Sequence, residues 1–194
     1  MRLHRVAWVE DGWQRRGQHR PGHPLYVARA RQGAGRFDNP AHYAALYASQ
    51  QPDGAVGEIL GNHTRVREAM FHWQGRPELR RRLVTLEVAQ AVLLDLDDAE
   101  VLTRLALRPS DVVRRNRDVT RRLALRRYLS RDETGEVGLC WWSYHHPDWR
   151  QVMLWSQDGD AWFSHVEVVE IADLDVQHPD VVVAAETLRR PIVS

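Results

Sequence analysis

Cysteine is nearly missing from this sequence. Its one copy, Cys140, excludes an intrachain disulfide and any cysteine-based zinc site, and suits a reducing cytoplasm. Long apolar runs are missing too. No stretch approaches membrane-spanning length, and the opening residues MRLHRVAWVEDGW turn polar within a few positions, so neither a membrane span nor a secretion signal is expected. Charge of one sign is also lacking: 27 basic residues stand against 26 acidic ones, a formal net charge of +1, and no global field steers the chain toward nucleic acid or a membrane. Internal repeats and low-complexity tracts are absent.

What is present reads as an ordinary globular chain. Its 194 residues, 43% hydrophobic and 27% charged, predict a single domain over residues 1–194 whose core needs no staples. Two features depart from the average: the basic residues are arginine, and there are 8 Trp, whose indoles suit stacking on flat ligands as well as core packing.

Along the chain, residues 1–22 read as an irregular arm docked by Trp8 and Trp13. Residues 24–28 (PLYVA) have the content of a first strand and are followed by a glycine-containing loop. Residues 44–49 read as a short buried strand carrying Tyr47. Pro52 and Asp53 suit the first turn of a helix that runs to Leu60, carries Glu58 and ends near Gly61. Residues 63–82 read as mixed loop and short helix, and 83–88 alternate as a strand. Asp97 or Asp98 caps a short helix stopped by Pro109. Ser110 then opens the longest helical pattern, 111–129, with an apolar stripe through Val112, Val119 and Leu123. Residues 137–142, 152–155 and 165–171 read as later strands, separated by turns at 145–148 and 157–160, and residues 157–194 supply a C-terminal strand and tail. Strands outnumber helices without regular crossovers, so the expected class is α+β.

The most informative stretch is 35–58, GRFDNPAHYAALYASQQPDGAVGE. It puts Arg36 on a loop edge, Tyr47 on a strand and Glu58 on a helix, three element types that can converge on one cleft. Gly54, Ala55 and Gly57 leave the helix surface bare, which would let a ligand or another backbone approach the carboxylate.

In order along the chain, Gly35-Arg36, Leu46-Tyr47-Ala48-Ser49, Ala55-Val56-Gly57-Glu58 and the stretch from Gly138 to Ser143 resemble the motifs of the RES domain, named for an Arg, a Glu and a Ser. The resemblance covers about residues 24–156. It implies a mixed β-sheet core with flanking helices similar to ADP-ribosyltransferases, and a toxin that consumes NAD as substrate, with no further cofactor. Such toxins are usually neutralised by a cognate, Xre-like antitoxin, and RES-like proteins often pair, so a homodimer is a further expectation. The family pattern also looks for an arginine on or just after the first strand. Tyr26 and Val27 do not supply it, so it is Arg29, Arg31 or absent, with Tyr26 beside them as a substrate-binding candidate.

The chemistry of that reaction suits the carried-over residues. Breaking the nicotinamide–ribose bond expels a pyridinium as neutral nicotinamide, so no general acid is needed. A carboxylate must instead stabilise an oxocarbenium-like ribosyl cation and grip a ribose hydroxyl, the role implied for Glu58. Arg36 would hold the pyrophosphate by its planar fork. Tyr47 would stack on or shape the nicotinamide pocket, and Ser143 would hydrogen-bond the ribose or the amide. Water as nucleophile makes a glycohydrolase, phosphate a phosphorylase, and a macromolecule an ADP-ribosyltransferase; the sequence does not choose.

Two other constellations carry less. His145, His146, Asp148 and His165 lack the helical spacing of a metal site, and Ser143 with His145 lacks the Gly-x-Ser-x-Gly elbow of a hydrolase triad. No metal is therefore expected. The arginines at 114, 115, 117, 121, 122, 126 and 127 wrap most of one helix, and with a net charge of +1 they read as a solvated face rather than a nucleic-acid surface. An acidic antitoxin would suit the same face.

Overall fold

A computed structural model describes residues 1–13, 20–89, 91–113, 117–156 and 165–193. Among them, seven strands form one mixed sheet flanked by helices, so the expected α+β class holds. The strands are β1 (Arg2–Glu10), β2 (Ala44–Ser49), β3 (Leu79–Val88), β4 (Val92–Asp95), β5 (Glu136–Trp142), β6 (Arg150–Ser156) and β7 (Val166–Asp173), in the order β4-β5-β6-β2-β1-β3-β7. Only β4 and β5 run parallel; the other neighbours are antiparallel.

Each strand buries alternate residues on opposite faces, as the two-residue period requires. Leu46, Ala48, Val84, Leu86, Val152 and Leu154 pack on one face. The alternate set meets helices. Ala45, Leu139, Trp141, Met153 and Trp155 lie under α2 (Ala99–Arg104), α3 (Pro109–Val113) and α4 (Asp118–Leu129), which contribute Leu102, Val112, Leu123 and Ala124. Leu83 and Trp149 pack with Val56 and Leu60 of α1 (Pro52–Leu60) and with Val181 and Ala184 of α6 (Pro179–Thr187). A short α5 (Arg131–Thr134) links α4 to β5 and ends at Gly135, whose φ of 67° suits glycine.

The sheet has a seam. β1 pairs with β3 along its whole length, from Arg2 with Glu87 to Glu10 with Leu79, and β2 pairs with β6 from Ala44 with Ser156 to Ser49 with Gln151. Between β1 and β2 the only register pair is His4 with Ser49. The two halves of the sheet diverge there.

Several expectations are corrected. The irregular arm is in fact β1, next to the middle of the sheet; residues 14–19 lie outside the described residues. Trp8 stacks edge-on with Trp73 at 5.0 Å beneath the Arg81 guanidinium, and Trp13 meets His23. Residues 24–28 form no strand. The Tyr26 N–H bonds back to the His23 carbonyl and the Leu25 N–H to His23 Nδ1, which turns the chain and buries Leu25 without a pairing partner. The long helix is two, α3 and α4; the first starts at Pro109, one residue before the expected Ser110 cap, and the Val112 carbonyl near its end accepts a bond from Arg36. Arg114 and Arg115 lie outside the described residues, as does the expected turn at 157–160. Beyond β7 the C-terminal tail contains α6, capped by His178 with Pro179 at its first turn.

Candidate functional site

The cleft at the β1–β2 seam has a volume of about 300 Å³. α1 supplies Ala55, Glu58 and Ile59, the glycine-arginine turn supplies Gly35 and Arg36, and β2 supplies Tyr47 and Ala48. β1 supplies His4, Arg5 and Val6, and Arg117, Trp141, Tyr144 and Gln151 complete the wall. Arg36, Tyr47 and Glu58 thus meet as their three element types suggest. Ser143 joins from the loop after β5: its buried hydroxyl donates to Glu58 Oε1 at 2.5 Å and accepts the His145 N–H at 2.9 Å. That bond fixes one carboxylate oxygen and leaves the other side of the group for a ligand.

The local sequence explains the placement. Pro52 and Asp53 start α1, and Asp53 accepts the Trp149 indole N–H at 2.8 Å. The small residues of α1 serve this packing. A Cβ on Gly57 would overlap the Trp149 ring and one on Gly54 would overlap the Ser49 hydroxyl and crowd Trp149, so those glycines admit an indole, while Ala55 and Glu58 turn to the cleft. The expected bare surface for a ligand is, at the glycines, a seat for tryptophan.

The turn carrying Arg36 is built around buried Asp38, which accepts the N–H groups of Gly33 and Gly35 at 2.8 and 2.6 Å and the Tyr47 hydroxyl at 2.8 Å. Tyr47 in turn accepts the Phe37 N–H at 3.0 Å. Burial, with Asp38 close by, holds the Tyr47 hydroxyl well above the ordinary tyrosine range, so it stays protonated and serves as a wall rather than a base. Desolvation, then the nearby Arg117, depress Arg36, while Glu58 and Tyr47 oppose them. Its Nη1 donates to the Val112 carbonyl at 2.7 Å, which aims the guanidinium along the cleft wall.

The other sequence candidates fall elsewhere. Arg29, Arg31 and Tyr26 are not among the lining residues; Arg29 donates to the Pro40 carbonyl at 2.7 Å and Arg31 is exposed on a single 3₁₀ turn. Another arginine, Arg5 on β1, reaches the cleft instead. It lines the cleft, its Nε and Nη1 are buried without a hydrogen-bond partner, and desolvation pushes its pKa down to about 10. The expectation of an irregular arm over residues 1–22 leaves Arg5 without a place on a strand. The available signal was period-two alternation: Leu3, Ala7 and Val9 share one strand face with an arginine at position 5.

Among the described residues no group of three or more His, Cys, Asp or Glu side chains is arranged to hold a metal ion, and no helix is long and apolar enough to cross a membrane. His145 packs against Gly61 and Tyr144, and His146 against Trp149.

No curated protein matches the sequence. Among solved structures the chain is similar to one described as the crystal structure of the M. tuberculosis MbcT-MbcA toxin-antitoxin complex, at 14% identity and a TM-score of 0.56 over 96% of this chain and 90% of that one. The RES domain matches residues 2–179, from β1 to the start of α6, which takes in Arg5 as well as the stretch 35–58 and Ser143. The chain belongs to the RES domain family.

Proposed function

We propose that this chain is a toxin enzyme that consumes NAD by breaking its nicotinamide–ribose bond. The observation that carries the reading is the convergence on one cleft of the Glu58–Ser143 pair with the unpartnered buried nitrogens of Arg5 and the aimed guanidinium of Arg36. As the ribosyl carbon–nitrogen bond breaks, its electron pair leaves with neutral nicotinamide and positive charge develops on the ribose. Glu58, held by Ser143, stabilises that charge and grips a ribose hydroxyl. Arg5 and Arg36 bind the pyrophosphate, Arg5 occupying the role that sequence reading gave to Arg29 or Arg31. Tyr47 and Trp141 wall the cleft with apolar ring faces.

The partner class follows from the structural neighbour, which is described as a toxin bound to its antitoxin. A cognate Xre-like antitoxin would hold this chain in check in the cytoplasm, where NAD is abundant.

The test is nicotinamide release from NAD by the pure protein, with and without inorganic phosphate, beside a Glu58→Ala control. Release by the wild type alone supports the reading. Free ADP-ribose then assigns water as nucleophile, its phosphorylated form assigns phosphate, and ADP-ribose retained on a macromolecule assigns transfer. Release no faster than in the control overturns NAD consumption.

A further inference from the structure

Of the described arginines on and just before α4, only Arg117 reaches the cleft, and it has been given no role beyond its wall. Two of the others have structural partners: Arg121 Nε donates to the Gly35 carbonyl at 3.3 Å, and Arg127 Nε donates to the buried Glu136 at 2.9 Å. Arg117 differs. It lines the cleft, it is exposed, and no side-chain bond or ion pair is found for it among the described residues.

One hydroxyl ties Arg117 to Arg36. Thr120, 1% exposed, places Oγ1 at 2.6 Å from the Arg36 carbonyl oxygen and 3.0 Å from that of Arg117. The backbones of the two arginines are therefore set against each other by a single buried group. The Arg121 carbonyl also accepts from Asn39 at 3.0 Å, so the arginine turn and the first turns of α4 move as one piece.

Charge balance gives an independent reason for a third cation. The cleft lining contains three guanidinium groups, Arg5, Arg36 and Arg117, and one carboxylate, Glu58, which leaves two net positive charges with His4 neutral. A pyrophosphate diester carries two negative charges. Without Arg117 the lining would neutralise one of them, and like-charged neighbours around an empty cleft cost free energy that a bound dianion offsets. The depression of Arg36 by Arg117 reports the same proximity.

We propose that Arg117 is a second arm of a diphosphate clamp, and that Thr120 is the positioning residue that fixes its spacing from Arg36. The inference rests on the NAD reading and deepens it, because it assigns the diphosphate linkage of the substrate to a built subsite. A substrate without phosphate would not use the clamp.

The experiment compares KM and kcat for NAD and for nicotinamide riboside, which has no phosphate. Arg117→Gln, at an exposed position, is expected to raise KM for NAD about tenfold, the value of one charge-assisted phosphate contact, with kcat within about twofold. KM for nicotinamide riboside should move less than about twofold. Thr120→Val should raise KM for NAD in the same sense, and Thr120→Ser, which keeps the hydroxyl, should restore it. An unchanged KM for NAD in Arg117→Gln, or an equal rise for both substrates, overturns the clamp. Calorimetric titration with inorganic pyrophosphate reads the clamp without turnover. A wild type that releases no nicotinamide yet binds pyrophosphate through Arg117 overturns NAD cleavage and keeps the clamp; pyrophosphate binding indifferent to Arg117→Gln overturns the clamp.

Discussion

Replacing Arg5 by methionine should make the protein more stable and less active. Arg5 contributes a cation at the cleft with Nε and Nη1 buried and unpartnered, and desolvation lowers its pKa from the ordinary arginine range to about 10. That shift corresponds to about 3 kcal/mol of penalty on the charged form, at about 1.4 kcal/mol per pKa unit. Methionine keeps most of the aliphatic volume and removes the charge, so about 1–3 kcal/mol of stabilisation should survive local repacking. For a domain of this size the melting temperature should rise by about 3–10 °C. The sign with pH is fixed. The folded-state pKa lies below the unfolded one, so the penalty is fully present below about pH 10 and fades only as pH rises beyond it toward the ordinary arginine range. The gain should therefore be constant between about pH 6 and 9. Calorimetry of both proteins, with and without ADP-ribose, separates the two halves of the claim. The wild type should gain stability from the ligand, and Arg5→Met should not. A variant less stable than wild type, or one that still responds fully to ADP-ribose, would refute the view of Arg5 as a cation held at a structural cost for an anionic ligand.

Three further outcomes follow from the same geometry. Gly57→Ala gains about 1 kcal/mol of helix propensity but drives a methyl into the buried Trp149 ring, whose indole N–H is anchored on Asp53; urea denaturation should show a net loss of about 1–2 kcal/mol. Arg36→Lys keeps the charge and loses the fork that bonds the Val112 carbonyl while facing the cleft, so kcat/KM for NAD should fall at least about tenfold, and a wild-type rate would refute a bidentate role. Cys140 is buried beside Asp95 and Arg150, and burial pushes its thiol up to about 11, so iodoacetamide should label it slowly at pH 8 in the native protein and rapidly in guanidinium; rapid native labelling would contradict the packing.

What was legible in the sequence was local. Ala44–Ser49 and Pro52–Leu60 announce themselves through a short apolar run, a proline at the first helical turn and an acid beside it, and with them Tyr47 and Glu58 fall onto their strand and helix. Later strands were found within one or two residues because their apolar runs are bounded by turns. Long-range pairing was not legible. Residues 2–10 alternate too, but their polar residues are paid for by contacts distant in sequence: His4 meets Thr85, and Arg5 opens onto a cleft whose other walls come from α1, the arginine turn and the loop after β5. The short strand signal at 24–28 was defeated by a local competitor, the backbone turn at His23.

The seam between β1 and β2 explains why the residues hardest to read are the ones at the site. A strand paired on both sides satisfies its backbone within the sheet and can be recognised from its own pattern. Where β1 and β2 part after a single register pair, ladder bonds are exchanged for an opening, and the side chains there line a cleft rather than the core. Arg5 in an apolar stripe, an exposed Tyr144 at the wall and three arginines around one carboxylate each break a local rule of strand, surface or charge patterning. Their departures from pattern coincide in space, although they are spread from residue 5 to residue 144. Under the proposed function, a cleft that holds a dianion beside a carboxylate requires that conflict, because any rearrangement that satisfied each group within the protein would leave nothing to bind such a substrate.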